Sequence, residues 1–158
     1  MKSILSTLPS ILPLVFEWVE KQEALILAKA EGLTEDQQAD AIRAGVSSPE
    51  KIRVLYVETL PKPERQDLQF LAQQIGLFSP RSIGLALGYG IYLRRDFREA
   101  RSTLVHECVH VGQHERMNGV RPFLTEYLRE CIVPGYPFGS LEQEAIIMTQ
   151  AICGQNAR

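Results

Sequence analysis

The chain has 158 residues, which suffices for one domain and leaves no length for a second sizeable hydrophobic core. Its hydrophobic fraction of 45% and charged fraction of 23% are those of an ordinary soluble globular protein. A net charge of −2, with basic residues scattered along the chain, argues against nucleic acid or an anionic membrane surface as the partner. We therefore predict a single domain over residues 1–158 that binds neither nucleic acid nor a membrane.

The cysteines favour a reducing compartment. Their number is odd and none belongs to a CxxC pair, which argues against both a disulfide framework and a cysteine zinc ribbon. We expect a cytoplasmic protein with three mostly buried thiols: Cys108, Cys131 and Cys153.

An apolar stretch from Ile4 to Phe16 comes first along the chain. Pro9 and Pro13 interrupt it, no small-residue cleavage site follows it, and it is too short to span a bilayer. We therefore expect a structured segment here, with a signal peptide as the alternative.

Three helices and two strands are predicted up to residue 94. Apolar residues recur with helical spacing from Phe16 to Ala30, and a capping box of Thr34 and Gln37 begins a helix that ends at Gly45. Apolar patterning then predicts, in chain order, a strand at Ile52–Leu60, an amphipathic helix at Pro63–Ile75 and a strand at Ser82–Arg94.

The rest of the chain is predicted to be helical. Asp96 and Glu99 are typical of a cap pair, and the helix that they begin ends at Asn118-Gly119. A further helix, a turn and a last helix capped by Ser140 and Gln143 follow: Phe123–Cys131, Pro134–Gly139 and Ser140–Cys153. Because helices and strands follow one another without a regular βαβ alternation, we predict the α+β class.

The central helix contains the motif H-E-x-x-H, at His106, Glu107 and His110. Residues four apart lie on one face of a helix, so the two imidazoles can bind a single metal ion. Glu107 lies one position further on, where it can accept a proton from a metal-bound water. The motif predicts zinc chemistry, although a chance match or two histidines on a solvated helix face would give the same letters.

His114 continues the spacing but is not expected to be a ligand. A rise of about 1.5 Å per residue places His106 and His114 about 12 Å apart, and ligand bonds to zinc are about 2 Å long. We expect His114 to lie in the second shell or at the surface, and another element to supply the third ligand. The acidic candidates for that ligand are Glu115, Glu126, Glu130, Glu142 and Glu144.

The segment around Glu142 and Ala145 resembles the E-x-x-A element of gluzincin-type metallopeptidases. In that group a Glu downstream of H-E-x-x-H is the third zinc ligand, and a small residue three positions later lets two helices pack closely. The resemblance implies that Glu142 completes a zinc site with His106 and His110. Glu144 lies about 200° away around the helix axis, so we expect it to point towards solvent or a partner such as Arg129.

The resemblance extends over residues 82–151 and is greatest to small bacterial metallopeptidase domains with H-E-x-x-H. It implies a minimal zincin-like fold: a small sheet, an active-site helix and a downstream ligand helix, with N-terminal helices packed around them. Gln113 and Arg116 stand where the long metzincin motif requires Gly and His, which disfavours that group. The thermolysin-like N-E-x-x-S-D pattern is also absent, which removes the Asp that would orient an imidazole in that group.

Two residues are candidates for stabilising a transition state. Tyr136 could donate its hydroxyl to the oxyanion of a tetrahedral intermediate, although turn chemistry alone explains the sequence PGYP. Arg129 could serve the same role, or it could pair with Glu126 or Glu130.

The strand Ser82–Arg94 contains three glycines, Gly84, Gly88 and Gly90. In zincin-like folds the strand before the active-site helix borders the cleft and pairs with an extended substrate, which needs an accessible strand edge. Glycines permit such close backbone approach, and they also occur at bulges where no ligand binds.

The predicted function is a zinc-dependent hydrolase, a metallopeptidase with Zn²⁺ as cofactor and a peptide or protein as substrate. Two alternatives remain: a zinc-binding regulatory or interaction module with an occluded cleft, and a helical adaptor without a metal.

Overall fold

The computed structural model describes residues 3–79 and 81–154. Within these residues the chain forms six helices: α1 (Ile4–Lys29), α2 (Glu35–Arg43), α3 (Gln66–Gln74), α4 (Arg101–Arg116), α5 (Val120–Glu130) and α6 (Ser140–Cys153). Short helical turns lie at Pro49–Lys51, Arg95–Phe97 and Cys131–Gly135. None of the described helices is long and apolar enough to cross a membrane.

Four strands form one mixed sheet: β1 (Glu31–Gly32), β2 (Arg53–Val57), β3 (Gly84–Leu87) and β4 (Gly90–Arg94). Their order in the sheet is β1-β2-β4-β3. The central strands β2 and β4 are parallel, with Arg53 opposite Gly90, and the two outer strands are antiparallel to their neighbours. The α+β class is confirmed, and β3 lies at an edge of the described sheet.

The sheet lies between α1 and α4. On β4, Ile91 and Leu93 face the core that α4 and α6 complete, whereas Tyr92 faces the core that α1 and α5 complete. Successive strand residues point to opposite faces, so apolar residues on both faces allow helices to cover the sheet on both sides. This packing holds α4 against the sheet and beside its β3 edge.

The prediction of one continuous strand over Ser82–Arg94 was wrong, because the chain reverses within it. Leu87 pairs with Gly90, and the two residues between them form a hairpin loop. Gly88 has φ +67°, a left-handed conformation that costs glycine little. The reversal turns one predicted strand into β3 and β4.

The first helix begins at Ile4, twelve residues before the predicted start at Phe16. Ser3 caps it by accepting a hydrogen bond from the Ser6 N–H at 3.2 Å. Pro9 and Pro13 lie inside the helix with exposed side chains. Helix carbonyls that lose a partner to proline can bond to water on an exposed face, so the helix continues through both residues.

The capping box of Thr34 and Gln37 is confirmed, since each backbone N–H donates to the other's side chain. The predicted cap of α4 was wrong. Asp96 lies in the preceding turn, and Ala100 is the N-cap without a side-chain hydrogen bond. Asp96 instead forms an ion pair with Arg94, at 2.6 Å.

The predicted cap of α6 was also wrong in its residues. The N-cap is Gly139, and Ser140 is the first helical residue. Glu130 of α5 accepts hydrogen bonds from the Ser140 hydroxyl at 2.5 Å and from the Leu141 N–H at 2.9 Å. A carboxylate from the preceding helix therefore accepts a backbone hydrogen bond from the first turn of α6. A negative charge is also favourable at a helix N-terminus.

Candidate metal centre

The motif histidines lie on one face of α4. The ring centroids of His106 and His110 are 5.1 Å apart in an edge-to-face arrangement. His110 is buried and His106 is partly exposed, and both rings line a cavity. The four-residue spacing thus brings the two imidazoles together, as expected for an α-helix.

Glu142 on α6 faces both imidazoles. Its Oε1 lies 2.8 Å from His106 Nε2, and its Oε2 lies 3.2 Å from His110 Nε2. Potential ligand atoms of the three side chains all lie within 4.8 Å of one another. No other such group of histidine, cysteine, aspartate and glutamate ligands occurs in residues 3–79 and 81–154.

The packing of α6 on α4 places Glu142 at this point. Ala145 is fully buried in the core that contains Cys108 and Val109 of α4. A small side chain at that position lets the two helices approach closely, as the E-x-x-A resemblance implies. The pairing brings Glu142, and not Glu144, to the histidines.

The buried charges of the site influence one another. Burial alone raises the pKa of the Glu142 carboxyl, but hydrogen bonds from His106 and His110 lower it well below its usual range. Burial lowers the pKa of His110, but the bond to Glu142 and the charges of Glu107 and Glu142 outweigh this and raise it. The two carboxylates therefore favour a cation at the histidines.

Glu107 is buried beside the histidines and against β3. Burial raises the pKa of its carboxyl, which the neighbouring His106 and His110 and a backbone hydrogen bond from Ala86 partly offset. A Cβ on Gly84 would lie only 2.8 Å from Glu107 Oε1. Gly84 thus makes room for the Glu107 side chain, which sequence analysis did not anticipate.

The other two glycines of the hairpin also make room for side chains of this chain. A Cβ on Gly88 would overlap the carboxylate of Glu23, which accepts a hydrogen bond from the Tyr89 N–H at 2.7 Å. A Cβ on Gly90 would lie 3.0 Å from Ile26. The close approach at these two positions is therefore made by α1 and not by a substrate.

Gln113 orients His110 in a way that the sequence did not reveal. The Gln113 side chain is fully buried, and its Nε2 donates to the Leu141 carbonyl at 2.8 Å and to Glu144 Oε1 at 3.0 Å. These acceptors fix the amide, so its Oε1 faces His110 Nδ1 at 2.8 Å. An amide oxygen only accepts, so Nδ1 carries a proton, and Nε2 is the nitrogen that faces Glu142 and could bind a metal ion once it is deprotonated.

Glu144 belongs to this supporting network and not to the ligand group. It accepts from Gln113 and forms an ion pair with Arg116 at 2.6 Å. The expected partner Arg129 pairs instead with Glu126 on its own helix. Glu144 is therefore outside the possible ligand group, as expected, and its partners are Gln113 and Arg116 of α4 rather than Arg129.

Tyr127 of α5 is a second residue that sequence analysis missed. Its hydroxyl donates to Glu142 Oε2 at 2.8 Å, and its ring packs edge-on against His110 with centroids 5.4 Å apart. Burial, together with the charge of Glu142, raises its pKa well above the ordinary tyrosine value. Tyr127 therefore remains a proton donor that holds one carboxylate oxygen.

Tyr136, the tyrosine proposed from sequence, lies at the cavity wall. Its side chain is 44% exposed. Partial burial, together with the charges of Glu142 and Glu107, raises its pKa to about 12. Its hydroxyl is thus protonated at neutral pH, and the residue lines the same cavity as Glu107.

The remaining candidate side chains have other partners. His114 is outside the possible ligand group, as expected, but it is buried with its ring 4.9 Å from that of Tyr89, so the alternative of a surface position was wrong. Glu115 accepts from the N–H groups of Ser47 and Ser48 at 2.7 and 3.1 Å. The three thiols are free, and those of Cys108 and Cys131 are buried.

Comparisons with known protein families, with curated proteins and with solved structures gave no significant match to this chain.

Proposed function

We propose that this protein is a zinc-dependent hydrolase that cleaves peptide bonds, with His106, His110 and Glu142 as the zinc ligands and Glu107 as the general base. The observation that carries the proposal is the meeting of two imidazole nitrogens and a carboxylate, from two helices, at the wall of a cavity. Glu107 lines the same cavity.

The donor set fits zinc. Two ligand atoms at about 2.0–2.1 Å from a tetrahedral zinc are about 3.3 Å apart, close to the 2.8 and 3.2 Å between Glu142 and the imidazoles. Three protein ligands leave the fourth position for water or substrate, which distinguishes catalytic from structural sites. Zinc held there would act as a Lewis acid and lower the pKa of a bound water.

Glu107 would move the proton. The attacking water transfers a proton to the Glu107 carboxylate as its oxygen bonds to the peptide carbonyl carbon. The same proton then passes from Glu107 to the amine nitrogen as the C–N bond breaks. The Ala86 N–H donates to the Glu107 carboxylate, and the absence of a side chain on Gly84 leaves room for it.

The edge strand β3 supports a peptide as substrate. The Arg94 N–H donates to the Ile83 carbonyl at 2.8 Å, so residues 83, 85 and 87 form the main-chain hydrogen bonds to β4. The carbonyls of Gly84 and Ala86 therefore face the outer edge, where the Ala86 N–H already donates to Glu107. An extended peptide could add to this edge beside the histidines by main-chain hydrogen bonds.

Two tyrosines would take different roles. Tyr127 positions the Glu142 carboxylate through its hydroxyl, in the manner of second-shell partners of metal ligands. Tyr136 remains the candidate donor to the oxyanion, since its hydroxyl is protonated and the residue lines the cavity. The Gly-Pro turn that holds Tyr136 explains its position equally well without catalysis.

The test is turnover of a peptide library by zinc-loaded protein beside the variant Glu107→Gln. Gln keeps the shape of Glu but cannot accept the proton, so hydrolysis should fall by two or more orders of magnitude while zinc is retained. Equal activity of both proteins would exclude Glu107 as the base. Stoichiometric zinc without turnover in either would favour the zinc-binding module.

A further inference from the structure

The zinc site opens into a cavity of about 640 Å³, much larger than a metal and a scissile amide require. Cavities of about 300–1,000 Å³ are typical of sites that enclose a whole ligand of drug size. His106, Glu107 and His110 line this cavity together with residues from α1, α3 and α5. The cavity therefore has room for several side chains of a substrate.

The residues that α1, α3 and α5 contribute to the lining form an apolar wall, with no charged residue among them. They include Val15, Trp18, Leu68, Leu71, Phe123 and Leu124. Apolar area removed from water is worth about 25 cal/mol per Å², so this wall favours large apolar side chains over polar ones.

The segment between α5 and α6 adds further apolar side chains at the cavity. The segment between α5 and α6 contributes Tyr136 and Pro137 to the lining. Beside them Val133 and Phe138 are 54% and 69% exposed. Exposed apolar side chains next to a cavity are typical of a surface that contacts an apolar partner.

The occupant of this cavity is indicated by β3. All four residues of the strand, Gly84–Leu87, line the cavity, and two of their carbonyls face the free edge. Two outward backbone carbonyls suit a polypeptide, whose N–H groups can donate to them, whereas a lipid chain has no donor group.

We propose that the substrate is an extended polypeptide segment bearing several large apolar side chains, which the cavity between α1, α3 and α5 encloses while the backbone adds to β3. This inference rests on the proposed peptidase function. It predicts that folded, polar surface segments are poor substrates and that segments of the kind normally buried in protein cores are good ones.

Binding can be measured without turnover, because the chain has a single tryptophan and Trp18 lines the cavity. The zinc-loaded Glu107→Gln variant is titrated with a ten-residue peptide carrying Leu and Phe around a central amide. A second peptide carries Ser and Gln at those positions. The apolar peptide should give a saturable change in Trp18 emission at a concentration at least tenfold lower than the polar peptide.

Turnover by the unmodified protein supplies a second measurement. Replacing each Leu or Phe by Ala in turn should lower kcat/KM by at least about tenfold at the positions that enter the cavity, the usual scale for lost methylenes in an apolar pocket. Equal kcat/KM for the polar and apolar peptides would overturn the inference and leave the peptidase function standing. Saturable binding of the apolar peptide without any cleavage would overturn the function and leave the cavity assignment standing.

A matched pair of variants tests whether the apolar peptide occupies the cavity. Ala72 on α3 lines the cavity, whereas Ala39 on α2 is exposed and outside it. Ala72→Phe should reduce kcat/KM for the apolar peptide at least tenfold while zinc content is kept, and Ala39→Phe should not. If both variants cleave the apolar peptide as the unmodified protein does, the cavity does not hold the substrate. The Trp18 titration decides the matter even if Ala72→Phe fails to fold.

Discussion

Helix α4 carries the dipeptide His-Glu twice, eight residues apart, as His106-Glu107 and His114-Glu115. At the second pair the side chains are occupied by structural contacts. Glu115 accepts from the Tyr89 hydroxyl at 2.8 Å and from two backbone N–H groups, and His114 packs against the Tyr89 ring. This end of α4 ties the helix to the loop after α2 and to the hairpin.

At the first pair the same residue types face one another and a cavity. Glu107 is desolvated, His106 and His110 converge, and Glu142 arrives from α6. Burying carboxylates next to imidazoles is costly unless a cation or shared protons compensate. The two pairs have the same residue types. They differ because only the first is approached by a carboxylate of α6 and lines a cavity.

Among the substitutions, we expect replacement of Glu142 on α6 to have the largest effect on zinc affinity. Glu142→Gln should weaken zinc binding by more than the roughly 10- to 100-fold that loss of a hydrogen-bond partner of a ligand costs, because it would remove the charged member of the proposed ligand set. Glu144→Gln should change the affinity by only a few fold, since Gln keeps an oxygen that accepts from Gln113. Chelator competition measures both constants. The opposite ranking would move the ligand to Glu144.

Replacement of Gln113, the hydrogen-bond partner of His110, should have the next largest effect on zinc affinity. Gln113→Met keeps the shape but removes the acceptor for His110 Nδ1, so zinc affinity should fall by roughly 10- to 100-fold. The ¹⁵N shifts of the His110 ring should also lose the signature of the Nδ1–H tautomer. A variant that is merely less stable, with unchanged affinity and tautomer, would contradict the positioning role.

A substitution in the second His-Glu pair should have the smallest effect on the function of the protein. Glu115→Gln should leave zinc binding and turnover unchanged and lower the free energy of unfolding by about 1 kcal/mol, because Gln retains only one of the two oxygens that the partners share. Urea unfolding of zinc-free protein measures this. A loss of activity without a loss of stability would show that the two pairs are not as different as their contacts indicate.

Sequence reasoning reached those parts of the fold and site that depend on local spacing. The convergence of His106 and His110 follows from four-residue spacing, and the capping box at Thr34 from three-residue spacing. The closeness of Glu142 to the histidines followed from a resemblance that spans two helices.

The parts that sequence reasoning missed depend on contacts between distant segments. Nothing local indicates that Gln113 reaches across to the Leu141 carbonyl, that Tyr127 faces Glu142, or that Glu130 caps α6. The reversal at Gly88 was hidden because the residues on both sides are equally strand-like and only one loop residue is a glycine.

The central claim is that the first His-Glu pair, and not the second, holds zinc. Elemental analysis of purified His106→Ala, His110→Ala and His114→Ala beside the unmodified protein tests it most directly. We expect about one zinc per chain in the unmodified protein and in His114→Ala, and loss of tightly bound zinc in the other two, since two remaining ligands make a weak site. Stoichiometric zinc in His106→Ala and His110→Ala would contradict the account.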